Sequence, residues 1–133
     1  MKFIVFGDPH IKRESGERTV IIAMHHQPYR IGLPGMDSIR LSNGDASMEL
    51  NGRFPNSKML LMGHNHRTIS GVVEGLPFSC FKSLSVQTPL DCESLSPSGG
   101  ITEPPDYGVL LLSEESILVH HEDFTAGVKP SSN

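Results

Sequence analysis

The 133-residue sequence predicts an α/β domain, and three observations carry that expectation. Apolar runs of strand length at residues 2–6, 19–24 and 58–62 each end in a cluster of Gly, Pro, Asp or His. That is the pattern of strands buried in a sheet and stopped by tight turns. The run at 19–24 is β-branched and apolar on both faces, as a central parallel strand would be. Beyond residue 67 the pattern changes to short segments around Glu74-Gly75 and around residues 113–116, the signature of antiparallel hairpins.

The elements follow in order. Residues 2–6 form a first strand, stopped by Gly7-Asp8-Pro9, and the polar stretch 11–18 leads to the second strand at 19–24. His25-His26-Gln27-Pro28 ends that strand, and residues 29–40, with Gly32, Pro34 and Gly35, read as a long loop. Ser42-Asn43-Gly44 starts a short helix over 45–53, weakened at its end by Asn51-Gly52. The third strand, 58–62, runs into Gly63-His64-Asn65-His66. Segments 68–73 and 76–82 make a hairpin, the Ser-, Pro- and Gly-rich stretch 88–105 is loop, and 107–112 and 117–121 are two more strands. Residues 1–124 read as one domain and 125–133 as a flexible polar tail.

Composition excludes several function classes. Eleven Lys+Arg against fifteen Asp+Glu give a net charge of -4, without the basic stripe expected of a nucleic-acid binder. No apolar run approaches the roughly 18 residues of a membrane span. The apolar run near the N-terminus is too short for a signal peptide, so a cytoplasmic location is expected. Cys80 and Cys92 have no C-x-x-C spacing, and Cys80, on a strand, reads as a small core hydrophobe.

The chemistry lies in the histidines. Asp8-x-His10, His25-His26 and His64-x-His66 each follow an apolar run. Ligands in open α/β sheets sit at the carboxyl ends of parallel strands. Either pair alone is an ordinary surface feature; three strand ends carrying Asp and His on one sheet edge describe a metal site. In an extended segment residues i and i+2 point the same way. Asp8 and His10 can therefore reach one ion, or His64 and His66 can face two neighbouring ions. Imidazole with carboxylate suits Zn, Fe, Mn, Ni or Co, and the lack of thiolates argues against a structural zinc. His120-His121 ends a strand in the antiparallel part and is followed by Glu122-Asp123. It reads as a solvated strand end.

Asp8-Pro9-His10, His25-His26-Gln27-Pro28 and Gly63-His64-Asn65-His66 resemble three of the five motifs of the calcineurin-like metallophosphoesterases. Residues 19–82 resemble, more narrowly, the bacterial class III cyclic-nucleotide and glycerophosphodiester phosphodiesterases. The shared features are HHxP, the loop with Met36-Asp37-x-Ile39, Asn43-Gly44, Arg53-Phe54-Pro55, and the Gly75-Leu76-Pro77-Phe78-Ser79 and Gln87 segments after GHNH.

The resemblance implies a truncated metallophosphoesterase-type β-sandwich with flanking helices, hydrolysing a small phosphodiester with two divalent ions (Fe, Mn, Zn or Co). It implies Asp8, His10 and His66 as ligands of the first ion and His25 and His64 as ligands of the second. His26 then serves catalysis, behind the metal or facing substrate. The family's two middle motifs, a Gly-Asp segment whose Asp bridges the ions and a Gly-Asn-His segment, are absent. The interval where they belong is the eight-residue stretch 11–18, an apparent internal deletion. Asp37 is a candidate for shaping the substrate pocket, and Asp45 is a first-turn helix residue.

Two expectations follow from the deletion. Activity should be weak or absent, the alternative being a non-catalytic metal-binding or structural remnant. Sheet edges left without neighbours should also favour a homo-oligomer.

Overall fold

The computed structural model describes residues 19–97 and 99–124. The expected first strand, the junction at 11–18, Asp8, His10 and the tail 125–133 lie outside the described residues.

Strands β1 (Val20–Met24), β2 (Ser57–Met62), β3 (Ile69–Val73) and β4 (Leu76–Cys80) form a mixed sheet in the order β1-β2-β4-β3. β1 and β2 are parallel, β2 and β4 are parallel, and β3 returns antiparallel on β4. A two-stranded antiparallel sheet, β5 (Asp106–Leu112) and β6 (Ile117–Asp123), completes an α/β architecture. Two helices, α1 (Pro34–Asp37) and α2 (Gly44–Gly52), lie between β1 and β2 in the chain.

β2 organises the packing. Leu60, Leu61 and Met62 are at most 2% exposed, and burying each such side chain contributes about 1.5–3 kcal/mol. Period-2 alternation sends Leu60 and Met62 to one face, where they meet Met48 of α2, Tyr29, Leu76, Phe78 and Cys80. Met59 and Leu61 go to the other face and meet Leu110 of β5, with Ile117 and Val119 of β6 alongside. The two sheets thus enclose one core layer, and the first sheet and α2 enclose the other.

Among the described residues β1 pairs with β2 and is partly exposed along its length. Its apolar residues on both faces reflect contact with both core layers, through Ile22 and Met24 on one side and Ile21 on the other. The hairpin is not wholly antiparallel in its surroundings, because β4 enters beside β2 and pushes β3 to the edge. The loop at 29–40 contains α1, initiated by Pro34 at the start of the turn, where its missing N–H is harmless.

Candidate metal centre

β1 and β2 run parallel with Met24 opposite Met62, so their carboxyl ends emerge side by side. The Gly63 N–H donates to the His25 carbonyl at 3.2 Å, carrying the pairing one step past both strands. The residues that follow are His25-His26 on one side and His64-Asn65-His66 on the other.

The chain leaves β1 in a bend at His25 and His26, which lets adjacent side chains converge rather than diverge. Gln27, fully buried, then anchors the segment by donating its Nε2 to the Met36 carbonyl at 3.1 Å. Pro28 sits beneath the start of α2, and its carbonyl accepts from Arg40 Nη1 at 2.8 Å. Gly44 is required there, because a Cβ would run into the Pro28 carbonyl oxygen.

On the other side Asn65 plugs into the core. It is fully buried and donates Nδ2 to Cys80 Sγ at 3.4 Å, while that thiol donates to the Gly63 carbonyl at 3.2 Å. Burial pushes the Cys80 thiol up to about 11, so it is a neutral core group, as its strand position predicts. With Asn65 inserted, His64 and His66 adopt left-handed backbone angles, φ 64° and 49°. The motif is therefore not the extended segment expected from the sequence. Such angles are uncommon outside Gly and Asn, and here the buried Asn65 between them holds the turn.

The result is a group of three imidazoles. Ring centroids lie 4.6 Å apart for His25–His26, 5.1 Å for His25–His64 and 4.1 Å for His26–His64. One ligand nitrogen from each lies within 4.8 Å of the others. His64 Nε2 is buried and has no hydrogen-bond partner. A buried polar atom without a partner costs about 1–3 kcal/mol, and a cation among the rings would satisfy it, so the residues fit a divalent ion.

The electrostatics agree. Burial, then the neighbouring His26, His25 and His66, push His64 down to about 4 against a hydrogen bond with the Ile39 backbone. Burial first, then His26 and His66, lower His25 as well. Both rings are therefore neutral near pH 7, with lone pairs to offer.

His66 stands apart from this group. Its Nδ1 is 2.9 Å from the Val86 carbonyl, and its own carbonyl accepts from the Thr88 N–H at 2.9 Å. Donation from Nδ1 to a carbonyl leaves Nε2 as the bare nitrogen, the arrangement that orients metal-ligating histidines. Gln87 builds the loop that supplies Val86: its buried side chain accepts from the Ser83 N–H and donates to the Ser83 carbonyl, both at 2.8 Å. The structure thus brings His25, His26 and His64 together, with His66 outside that group but near enough to act on His25 and His64 electrostatically.

The acidic candidates have other work. Asp37 accepts the Ile31 and Gly32 N–H groups at 2.8 and 3.2 Å, so it pins the loop after His25-His26. Asp45 lies in the first turn of α2 and pairs with Arg40 at 3.3 Å.

No protein-family model matches the chain. Curated relatives do. A probable cyclic nucleotide phosphodiesterase of Rhodopseudomonas palustris is 35% identical over 121 residues, which is 91% of this chain and 44% of that protein. The chain is related to the class III metallophosphoesterases. A 3',5'-cyclic adenosine monophosphate phosphodiesterase of Pseudomonas aeruginosa is 40% identical over 53 residues, 40% of this chain and 20% of its own length. A glycerophosphodiester phosphodiesterase of Enterobacter lignolyticus is 36% identical over 53 residues, 40% of this chain and 19% of its own length. The chain spans less than half the length of these relatives. Among the described residues no helix is long and apolar enough to cross a membrane.

A second polar cluster lies between the sheets. His121 is not a solvated strand end but points inward. Its Nδ1 donates to Asp106 Oδ2 at 3.0 Å, and its Nε2 is 2.8 Å from Ser79 Oγ. Asp106, 3% exposed, also accepts the Thr68 hydroxyl at 3.1 Å and the Lys82 N–H at 2.8 Å. Burial raises its carboxyl, but the bonds from His121, Lys82 and Thr68 outweigh this and hold it below the ordinary value. The order Ser-His-Asp is that of a hydrolase triad. Ser79, however, is 3% exposed in the middle of β4, paired on both sides, so the chain of bonds is a clamp between sheets.

Proposed function

We propose that this chain is a metal-dependent phosphodiester hydrolase of low activity. The observation that carries the reading is the convergence of imidazoles at the carboxyl ends of the parallel pair β1 and β2, supported by the phosphodiesterase names of the relatives. His25 and His64 hold one ion. Asp8, His10 and His66 are the ligand set for another, and the bare Nε2 of His66 suits that role. A bound divalent ion supplies Lewis acidity toward a phosphoryl oxygen and eases deprotonation of water.

The residues of the chain supply position. Asn65 and Gln27 fix the two histidine-bearing turns from below, and neutral imidazoles keep the donor set ready near pH 7. Low activity follows from the donor chemistry. The described cluster contains three imidazoles and no carboxylate. Two dications about 4 Å apart would repel by roughly 15 kcal/mol at an effective dielectric near 20, with no bridging carboxylate in the sequence motif to offset this.

The test is hydrolysis of bis-p-nitrophenyl phosphate with excess Mn, Zn or Co, with His64→Ala and His66→Ala as blanks. Slow turnover above both blanks is expected. Metal binding without turnover would establish the second reading, a non-catalytic metal-binding protein. Among the described residues β1 is paired on one side only, which favours self-association in either case. Light scattering showing a monomer would remove that part.

A further inference from the structure

We propose that His26 is itself a metal ligand, and that His25, His26 and His64 form a one-ion, three-imidazole centre selective for nitrogen-preferring metals such as Zn, Co, Ni or Cu. This deepens the reading above and rests on the same site. It replaces the substrate-facing role that the resemblance implies for His26.

The geometry separates His26 from a bystander. Its ring lies nearer to His64 than the ring of His25 does, at 4.1 against 5.1 Å between centroids. Each of the three offers a ligand nitrogen within 4.8 Å of the other two. A tetrahedral ion with metal–nitrogen bonds of about 2.0–2.1 Å needs its nitrogens about 3.4 Å apart. Small rotations close that gap, because His25 is exposed and His26 half-buried. His64 is the fixed member, with its buried and partnerless Nε2. Three protein nitrogens and one remaining position make an open tetrahedral site.

The donor set decides the metal class. Imidazole suits Zn, Cu, Ni and Co, whereas Mg and Mn prefer oxygen donors. Among the described residues the group holds three imidazoles and no carboxylate, a donor set that discriminates against Mn.

The test uses the full chain titrated with Co(II), read by its visible d–d absorption, and with Zn(II) and Mn(II) by calorimetry. The variants are His26→Ala, His64→Ala and His66→Ala, each checked for native circular dichroism. One Co(II) with intense tetrahedral absorption is expected in His66→Ala, which lacks a ligand of the other ion, together with Zn(II) binding to that variant far tighter than Mn(II). Affinity in His26→Ala should fall by more than the roughly 10–100-fold that loss of a ring-orienting partner costs. His66→Ala should keep the band.

Should a His26 variant fold poorly, proton NMR of the Co(II)-loaded native chain gives a second readout. Three paramagnetically shifted exchangeable imidazole N–H signals are expected, one per ligand. Unchanged affinity in His26→Ala, or a band lost only in His66→Ala, would overturn the assignment. Mn(II) binding as tight as Zn(II) in His66→Ala would do the same. Diester hydrolysis run in parallel separates the two claims. Turnover that survives His26→Ala with metal still bound defeats the ligand and leaves the hydrolase. A three-imidazole centre without turnover does the reverse.

Discussion

Two regions of this molecule place histidine between strands, and they treat it in opposite ways. At the ends of β1 and β2, His25, His26 and His64 face one another, and His64 Nε2 has no partner. Between the sheets, His121 has both nitrogens engaged, one by Asp106 and one by Ser79. Buried polar groups in folded proteins are nearly always satisfied. The second region obeys that rule from its own side chains, and the first leaves a buried nitrogen unsatisfied. A network complete in itself stabilises the fold. An incomplete one at the mouth of a parallel pair is what the proposed metal would complete.

The sharpest way to break this comparison is to remove one member of each region. His64→Ala should abolish tight Zn(II) binding in calorimetry yet leave the thermal midpoint unchanged or raised. The variant deletes an orphaned nitrogen whose burial costs about 1–3 kcal/mol, which offsets the packing lost. Asp106→Ala should do the opposite. It strands three donors, from His121, Lys82 and Thr68, and should lower stability by about 3 kcal/mol while Zn(II) affinity stays the same. For a domain whose whole stability is about 5–15 kcal/mol, that is a large fraction, readable in urea unfolding. A stable Asp106→Ala protein, or an unstable His64→Ala one, would erase the distinction.

The two regions also differ in how legible they were. The histidine cluster is legible because His25-His26 and His64-x-His66 each follow a pure apolar run, and strand plus polar stop is a local signal. Local sequence could not show that Asn65 would be buried or that His64 and His66 would take left-handed angles. That depends on Cys80, fifteen residues away on β4. The order β1-β2-β4 depends likewise on β4 entering beside β2, and parallel pairing leaves no turn signature. The clamp has a signal of its own in the sequence. On β6, period-2 alternation puts Ile117, Val119 and His121 on one face and Leu118 and His120 on the other. On β5 it puts Asp106 with Leu110. Both polar residues therefore belong to the core face, and the acidic residues after His121 masked this.

A smaller effect, in acid, sharpens the comparison from the clamp side. Asp106 is held below its ordinary carboxyl value when folded and returns to about 3.9 when unfolded. A group depressed in the folded state contributes stability above its unfolded value and loses it as pH falls through its folded value. The urea midpoint of the native chain should therefore drop between pH 5 and pH 3. Asp106→Asn should start lower and show a shallower drop. Parallel slopes for the two proteins would mean that other carboxylates govern the acid limb.

The smallest effect separates two neighbours in sequence. His120 sits on β6 opposite Val109, on the outer face, and is exposed. Substitution of such a surface residue moves stability by no more than about 0.5 kcal/mol. His121, one residue on, faces inward, and its loss leaves the Asp106 carboxylate without its imidazole donor and Ser79 Oγ without its acceptor. It also empties the space beside Phe81, whose ring centroid lies 4.9 Å away. Phe81 in turn covers Gly108 so closely that a Cβ there would strike its ring, so the gap cannot be filled from β5. His121→Ala should cost about 1–3 kcal/mol, and His120→Ala should be indistinguishable from the native chain in the same urea titration. Neither should alter Zn(II) affinity. Equal destabilisation by the two would mean that the alternation of β6 is not what turns His121 inward, and the clamp would then have to be built from Asp106, Thr68 and Lys82 alone.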